Sequence, residues 1–204
     1  MLIGTKKHKE EKGFSLLEAL IAMLISCLVC IAAMNTIPVL FKQLFQAFFQ
    51  YQLDREVRQV LINMEKDFRR IGHCSQSPSK PLCEGQAITI NAKFLSHQAN
   101  SCIIFAYDQD LSGQWVIGQN HSLHSDFFGF RLNNNKLESN RNVTNCDGTR
   151  WHSLFDPNIV KVNKLTFDWQ PTAKILEMSM TVESILLPNK TFDYHSSVLL
   201  RNVP

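Results

Sequence analysis

The sequence predicts an α+β fold in which one long N-terminal helix leads into a mostly antiparallel β head. Two observations predict this fold. Apolar residues first form a continuous run and then recur in steps of three and four up to residue 71, which is typical of helix. After residue 73 this spacing gives way to short alternating or apolar runs, which are typical of strands. A chain of 204 residues has room for one core and an extended element.

The first element is an apolar run from residue 14 to residue 34 that is long enough to cross a bilayer. Its 21 residues match the roughly 20 that span about 30 Å of hydrocarbon. Glu18 is the only charged residue between Phe14 and Phe41. Positive charge precedes the run, and the next basic residue after it is Lys42. The preceding lysines are Lys6, Lys7, Lys9 and Lys12. This asymmetry predicts a cytoplasmic N-terminus and an external C-terminal part.

A cleaved secretory signal is one alternative for this run, but it needs a small-residue cleavage site after the apolar stretch. No convincing site of that kind lies between Met34 and Lys42, so we expect the helix to stay. A plain signal anchor, tethering an external enzyme or binding protein, is the second alternative. Hydropathy alone favours that plain anchor over a helix with a further function.

Glu18 favours a helix with a further function over a plain anchor. A carboxylate within an apolar membrane helix costs on the order of 3 kcal/mol and marks a functional group unless it has a partner. A cut after Gly13 would supply that partner as the new α-amino group of Phe14. Phe14 and Glu18 are four residues apart and share a helical face. Glu18 is therefore expected to neutralise its own N-terminus or that of a neighbouring subunit.

The second part of the predicted helix is amphipathic and runs through residues 42–72. Gly72 is the expected stop, with Arg69 and Arg70 in the last turn, where cations complement the helix dipole. A helix from Phe14 to Ile71 would be about 87 Å long, more than a globular domain requires. Pro38 is expected to kink it, since proline lacks an N–H and clashes with the carbonyl four residues back. The apolar positions are Phe41, Leu44, Phe45, Phe48, Phe49, Leu53, Val57, Val60, Leu61, Met64, Phe68 and Ile71.

Seven strands are predicted in the head from short alternating or apolar runs. They cover residues 87–92, 102–107, 114–117, 128–132, 159–169, 175–185 and 192–200. Asn133, Asn134 and Asn135 predict a hairpin turn before Lys136 and Leu137, because asparagine tolerates positive φ. Residues 171–173, which begin with a proline, predict another turn.

Four cysteines lie in the external part, where an oxidising compartment permits disulfides, and they allow three pairings. We favour Cys74 with Cys83, which closes a short Ser/Pro-rich loop after the helix. We favour Cys102 with Cys146, which ties an early strand to a later loop. A zinc site is the rival interpretation, but the spacing lacks paired Cys-x-x-Cys or His-x-x-x-His ligands.

Two further cysteines, Cys27 and Cys30, lie inside the apolar helix with the spacing of a redox pair. An apolar membrane environment raises the pKa of a thiol and denies the thiolate stabilising charges. We therefore interpret both as small packing residues.

The sequence offers little chemistry for an enzyme or a cofactor. His121 and His124 near Asp126 suggest metal ligands, but their setting is that of a polar loop. Asp108 and Asp110 partly resemble a calcium loop without its downstream glutamate, so a turn between strands is favoured and calcium binding stays open. No Gly-x-Ser-x-Gly, His-Glu-x-x-His, phosphate-loop or dinucleotide motif is present. We expect no enzyme, no cofactor and no metal site.

Charge balance gives no indication of a nucleic-acid partner, which would require a basic face. The formal net charge is +3. Residues 1–13 contain four lysines and two glutamates, which leaves 17 basic and 16 acidic residues in the remainder.

The segment from Lys12 to Ala22, with Gly13, Phe14 and Glu18 in its interior, resembles the type IV prepilin signature of a short basic leader, Gly, Phe and Glu at the fifth mature position. The resemblance implies that prepilin peptidase cuts between Gly13 and Phe14 and N-methylates Phe14. It implies that Glu18 aligns an incoming subunit on the previous one. It also implies a pilin-like spine whose N-terminal half packs in a filament core and whose C-terminal half packs on the head's sheet.

The head resembles a family of minor pilins, the prepilin peptidase-dependent protein B family, which is related to the J-type pseudopilins. The matching features occur in order through about residue 170: Gly72-His73-Cys74, Cys83, the stretch 101–108, the Gly113-Gln114-Trp115 segment, the stretch 128–132, Leu137-Glu138, Asn145-Cys146 and Trp151. The resemblance implies a minor pilin that helps initiate type IV pilus assembly. A J-type pseudopilin of a type II secretion system is the close alternative, although the four external cysteines favour the pilus.

These inferences give a domain plan. Residues 1–13 are a leader, 14–41 a transmembrane and filament-core helix, 42–72 its amphipathic continuation, and 73–204 a periplasmic β-rich head. The protein is expected in the inner membrane with one span, and incorporation into the pilus is consistent with this plan. The partners implied by the resemblance are other minor pilins, the major pilin, prepilin peptidase and the assembly platform.

Overall fold

The computed structural model describes residues 13–75, 83–90, 98–118 and 125–203. It consists of one helix, α1 (Leu16–Phe68), followed by strands. The strands are β1 (Ile88–Ile90), β2 (Cys102–Ala106), β3 (Phe127–Asn133), β4 (Lys136–Arg141), β5 (His152–Ser153), β6 (Val160–Gln170), β7 (Ile175–Ser184) and β8 (Thr191–Leu199). The chain divides into two compact units, Met1–Phe48 and Phe49–Pro204. The predicted α+β pilin-like fold is confirmed.

The first unit is the apolar half of α1, which is long and apolar enough to cross a membrane. Its hydroxyl side chains bond inside the helix: Ser26 Oγ donates to the Ala22 carbonyl at 2.8 Å, and Thr36 Oγ1 donates to the Ala32 carbonyl at 3.0 Å. Such bonds satisfy polar groups where water is absent. The helix continues through Pro38, so a kink there stays a prediction.

The C-terminal half of α1 packs on the head through one apolar stripe. Its buried residues are Leu53, Val57, Leu61, Met64 and Phe68, which are three or four positions apart and share a helical face. The Phe68 ring makes edge contacts with Phe105 and Phe130 of the first sheet at 5.6 and 5.8 Å between centroids. It contacts Phe167 of the second sheet at 6.1 Å. One helix therefore joins both sheets into a common core.

The helix ends at Phe68, three residues before the predicted end at Ile71, which is a correction to the helix limit. Arg70 N–H donates to the Asp67 carbonyl and Ile71 N–H to the Phe68 carbonyl, both over three residues, so the chain tightens into turns. Gly72 follows with φ +79°, and its N–H donates to the Ala106 carbonyl at 2.9 Å. A Cβ there would lie 2.7 Å from the Asn202 carbonyl oxygen, so this close approach requires glycine.

Five antiparallel strands form the first sheet in the order β1-β2-β3-β4-β5. The predicted Asn turn joins β3 to β4, where Asn133 is paired with Lys136. Asn134 and Asn135 have φ of 48° and 60°, the left-handed conformation of a two-residue hairpin turn. That prediction is confirmed.

The second sheet is antiparallel in the order β6-β7-β8. The turn after Pro171 joins β6 to β7, and Lys174 completes it with φ 54°. Strand β6, at one edge of this second sheet, makes two backbone hydrogen bonds to the part of the head that contains the first sheet. Val162 N–H donates to the Asn135 carbonyl and Phe167 N–H to the Asn100 carbonyl, both at 2.9 Å.

Two strand predictions need correction. Residues 114–117 form no strand, because the Val116 N–H donates to an Asp126 carboxylate oxygen at 3.0 Å and not to a neighbouring main chain. Strands β4 and β5 were missing from the predicted set: of β4 only Lys136 and Leu137 were named, as the residues after the Asn turn, and the two exposed residues of β5 carry no alternation to detect. Of the first predicted strand, residues 91 and 92 lie outside the described residues.

Candidate functional site

The predicted cleavage site lies immediately before α1. Gly13, Phe14 and Ser15 are exposed and not helical, and the first helical residue is Leu16. The Gly13–Phe14 peptide bond is therefore in irregular backbone at the helix entrance. The leader lysines lie outside the described residues.

Glu18 lies in the first turn of α1, where a carboxylate complements the positive end of the helix dipole. Its Oε2 accepts the backbone N–H of Ser15 at 3.2 Å. Ser15 is the residue before the first helical position and Glu18 is three residues later, which is the Ser-x-x-Glu pattern of a capping box. The only partner expected for Glu18 from the sequence was an amine, and this internal partner was missed although the Ser-x-x-Glu spacing is visible in the sequence.

The apolar side chains of α1 in the first unit are exposed. Leu20, Leu24, Leu28 and Ile31 are each more than half exposed, at 55%, 63%, 59% and 57%. Beyond the membrane-length run, Phe41, Leu44 and Phe45 are similarly exposed. Apolar area of this extent requires a lipid or protein partner.

The head contains two disulfides. Cys74 joins Cys83 across nine residues, and Cys102 joins Cys146 across 44. These are the two pairs favoured from the sequence. Cys102 and Cys146 are fully buried, whereas Cys74 and Cys83 are half-buried. Cys27 and Cys30 in the first unit are exposed free thiols.

A buried ion pair beside the Cys102–Cys146 disulfide was not predicted. Arg131 Nε donates to Glu138 Oε2 at 2.7 Å, across the β3–β4 pair. Arg131 Nη1 donates to the Cys146 carbonyl at 2.7 Å, and its guanidinium lies 4.3 Å from the ring centre of Trp151. An arginine inside the apolar run of β3 was the signal that could have found it, since a buried charge requires a partner.

The acidic residues Asp108, Asp110 and Asp126 lie close together, and a cation could be held by their oxygens. Buried Asp108 already accepts the N–H groups of Ser75, Ser112 and Gly113 at 2.9 to 3.0 Å. These hydrogen bonds agree with the turn that the sequence favoured over a calcium loop, because the Asp108 carboxylate binds backbone N–H groups of the loop that follows it.

Asp126 is buried and accepts the N–H groups of Gln109 and Val116, both at 3.0 Å. Burial raises the pKa of Asp126 above its ordinary value, while these two bonds oppose the shift. The hydrogen bond from Ser112 lowers the pKa of exposed Asp110. His121 and His124 lie outside the described residues, so the structure does not place them beside Asp126.

Comparison with known proteins identifies the class of this chain. The family model of prepilin peptidase-dependent protein B matches residues 46–200. The chain belongs to the prepilin peptidase-dependent protein B family. The match extends past residue 170, where the resemblance of individual residues became weak. A second family model, the prokaryotic N-terminal methylation motif, matches residues 8–34.

A relative in the prepilin peptidase-dependent protein B family supports the assignment. Prepilin peptidase-dependent protein B of Escherichia coli (strain K12) is 29% identical over 154 residues, which cover 76% of this chain and 75% of that protein. No solved structure shows a significant match. The chain is thus a type IV pilin-like protein with an N-terminal methylation motif on a helix that is long and apolar enough to cross a membrane.

Proposed function

We propose that this protein is a minor pilin that helps initiate type IV pilus assembly by associating with other minor pilins in the inner membrane. One observation carries the proposal. The methylation motif lies on an apolar helix whose side chains are exposed along the first unit. A helix of this kind fits a subunit that leaves the bilayer for a bundle of similar helices, since both environments cover its apolar surface.

Processing is the first proposed step. Prepilin peptidase removes residues 1–13 by cutting between Gly13 and Phe14, and Phe14 is then N-methylated. The irregular backbone at residues 13–15 supports this step, because a peptide bond outside the helix ladder is accessible to a protease. Residues 14–41 span the membrane and later the filament core, the helix then continues to Phe68, and the head follows it.

Orientation follows from charge and redox chemistry. The leader lysines keep the N-terminus in the cytoplasm, and the head folds in the periplasm, where its two disulfides form and persist. The proposed partners are other minor pilins, the major pilin, prepilin peptidase and the assembly platform. Glu18, paired with a cationic N-terminus, selects the register of neighbouring helices.

Mass analysis of the membrane-extracted protein tests processing. Cells with active prepilin peptidase should yield a chain that begins with N-methylated Phe14. The matched control is the same strain with a catalytically inactive peptidase, which should yield the intact precursor. An intact N-terminus in cells with active peptidase would contradict the proposal and favour a simple membrane tether.

Deletion of the gene separates pilus from secretion functions. We expect loss of surface pili and of minor-pilin complexes, restored by the wild-type gene. Glu18→Ala should restore neither, because it removes the charge that pairs with the neighbouring N-terminus. Normal piliation combined with loss of type II secretion would assign the protein to the J-type pseudopilins.

A further inference from the structure

The N-terminus of α1 shows how the Glu18 carboxylate is held before any subunit contacts it. Leu16 is the first helical residue, so Ser15 is the N-cap and Glu18 the third helical position. The Ser15 N–H has no partner within the helix, because the first N–H groups of a helix lack acceptors one turn back. Glu18 Oε2 supplies that acceptor at 3.2 Å.

This bond uses one of two carboxylate oxygens. An ionised carboxylate has about four acceptor positions on its two oxygens. Among the residues that the structure describes, the Ser15 N–H donates to Oε2 of Glu18, so Oε1 retains its capacity for a cation. The bond also turns the side chain back toward residue 15, one position from the Phe14 nitrogen that cleavage would convert into an amine.

We propose that Ser15 and Glu18 form a capping box that positions the Glu18 carboxylate for its cationic partner, so that Glu18 has two separable functions. As an acceptor it fixes the start of α1, which needs only an oxygen. As a charge it attracts an N-terminal amine, which needs a carboxylate at the correct distance. Ser15 is a positioning residue through its backbone. The charge function rests on the proposed function in assembly, whereas the cap does not.

Three substitutions separate the two functions. Glu18→Gln keeps an acceptor of the same length and removes the charge, since glutamine also completes a capping box. Glu18→Asp keeps the charge but withdraws it by one methylene from the Ser15 N–H. Glu18→Ala removes both the acceptor and the charge.

The cap is measured on the uncleaved full-length precursor in lipid nanodiscs, where assembly cannot contribute. Water-exchange NMR of serine amides reports Ser15, and Ser26 inside the helix is the internal control. We expect Glu18→Gln to stay within about twofold of the wild-type exchange rate and Glu18→Ala to exchange roughly fivefold faster, the usual effect of one lost cap. Glu18→Asp should resemble Glu18→Ala. Equal exchange in wild type and Glu18→Ala overturns the capping box.

Positioning is measured in cells with active prepilin peptidase, by cross-linking to the other minor pilins of the same cells after cleavage of each variant is verified. We expect cross-linking to fall at least fivefold in Glu18→Gln and Glu18→Ala, and severalfold in Glu18→Asp despite its charge. Wild-type cross-linking by Glu18→Asp overturns the positioning function. Wild-type cross-linking by all three variants, with altered Ser15 exchange, refutes the charge function and supports the cap.

Discussion

At the scale of single residues, the contribution of an ion pair to the stability of this protein depends on whether its charges are buried. Arg69 pairs with Glu65 at 3.7 Å, but the Arg69 side chain is 70% exposed, so the pair contributes little. Arg131 and Glu138 are only 7% and 12% exposed and meet at 2.7 Å. Removing one member of the buried pair leaves an uncompensated charge.

We predict that Arg131→Ala lowers the free energy of unfolding by about 3 to 5 kcal/mol, because Glu138 is left buried without its cation. Urea unfolding of the full-length protein in detergent, followed by tryptophan fluorescence, measures this. Arg69→Ala is the matched control and should change stability by less than about 1 kcal/mol. Equal effects of the two substitutions would show that the Arg131 pair is not buried in solution.

At the scale of elements, side-chain hydrogen bonds beside the buried apolar stripe of α1 connect this helix to β8. The Tyr194 hydroxyl donates to Asp54 Oδ1 at 3.1 Å, and the Ser196 hydroxyl donates to Glu65 Oε1 at 2.5 Å. Burial raises the pKa of Tyr194 to about 12, and the Asp54 carboxylate adds to this shift. The hydrogen bond from Arg58 lowers the pKa of Asp54, with a smaller contribution from Tyr194.

This contact predicts a pH dependence at the alkaline end. An unfolded tyrosine ionises near pH 10, whereas Tyr194 in the folded head keeps its proton to about pH 12. The stabilisation is therefore complete below pH about 10 and is lost as pH rises from about 10 to about 12. Tyr194→Phe should cost about 1 kcal/mol at pH 8 and should make unfolding less sensitive to pH above 10.

Thermal unfolding of wild type and Tyr194→Phe between pH 8 and 12 measures the difference. Tyr51→Phe is the control, since the Tyr51 side chain is 68% exposed, and it should follow the wild type throughout. A wild-type slope in Tyr194→Phe above pH 10 would exclude Tyr194 as the source of the dependence.

At the scale of the whole molecule, two disulfides cross-link the head, and they close loops of different length. The Cys74–Cys83 bond closes a short loop beyond the end of α1, while Cys102–Cys146 connects β2 to the loop after β4. A longer closed loop removes more conformational freedom from the unfolded chain. The second bond should therefore contribute more stability.

We predict that non-reducing peptide mapping recovers Cys74 linked to Cys83 and Cys102 linked to Cys146. In the chain-entropy model, Cys102→Ser/Cys146→Ser costs about 4 kcal/mol and Cys74→Ser/Cys83→Ser about 2.5 kcal/mol, for separations of 44 and nine residues. Denaturant unfolding of the oxidised full-length protein measures both costs. Recovery of a Cys74–Cys102 peptide would contradict the pairing.

Features that depend on local spacing could be predicted from the amino-acid sequence. Helical periodicity predicted α1, alternation predicted most strands, and the run of asparagines predicted the β3–β4 turn, because each signal lies within a few neighbouring residues. The prepilin-like signature with Gly13, Phe14 and Glu18 likewise occupies one short segment, and the methylation-motif match covers it.

Features that depend on residues far apart in the chain became visible only in the folded protein. Residues 114–117 form no strand because a carboxylate ten positions away takes a backbone N–H. Arg131 can be buried because Glu138, the Cys146 carbonyl and the Trp151 ring converge on it. The Ser15–Glu18 bond lies between these cases: its motif is local, but the carboxylate's orientation had to be seen in the fold. Spacing fixes which face a side chain occupies, whereas packing fixes which partner it meets.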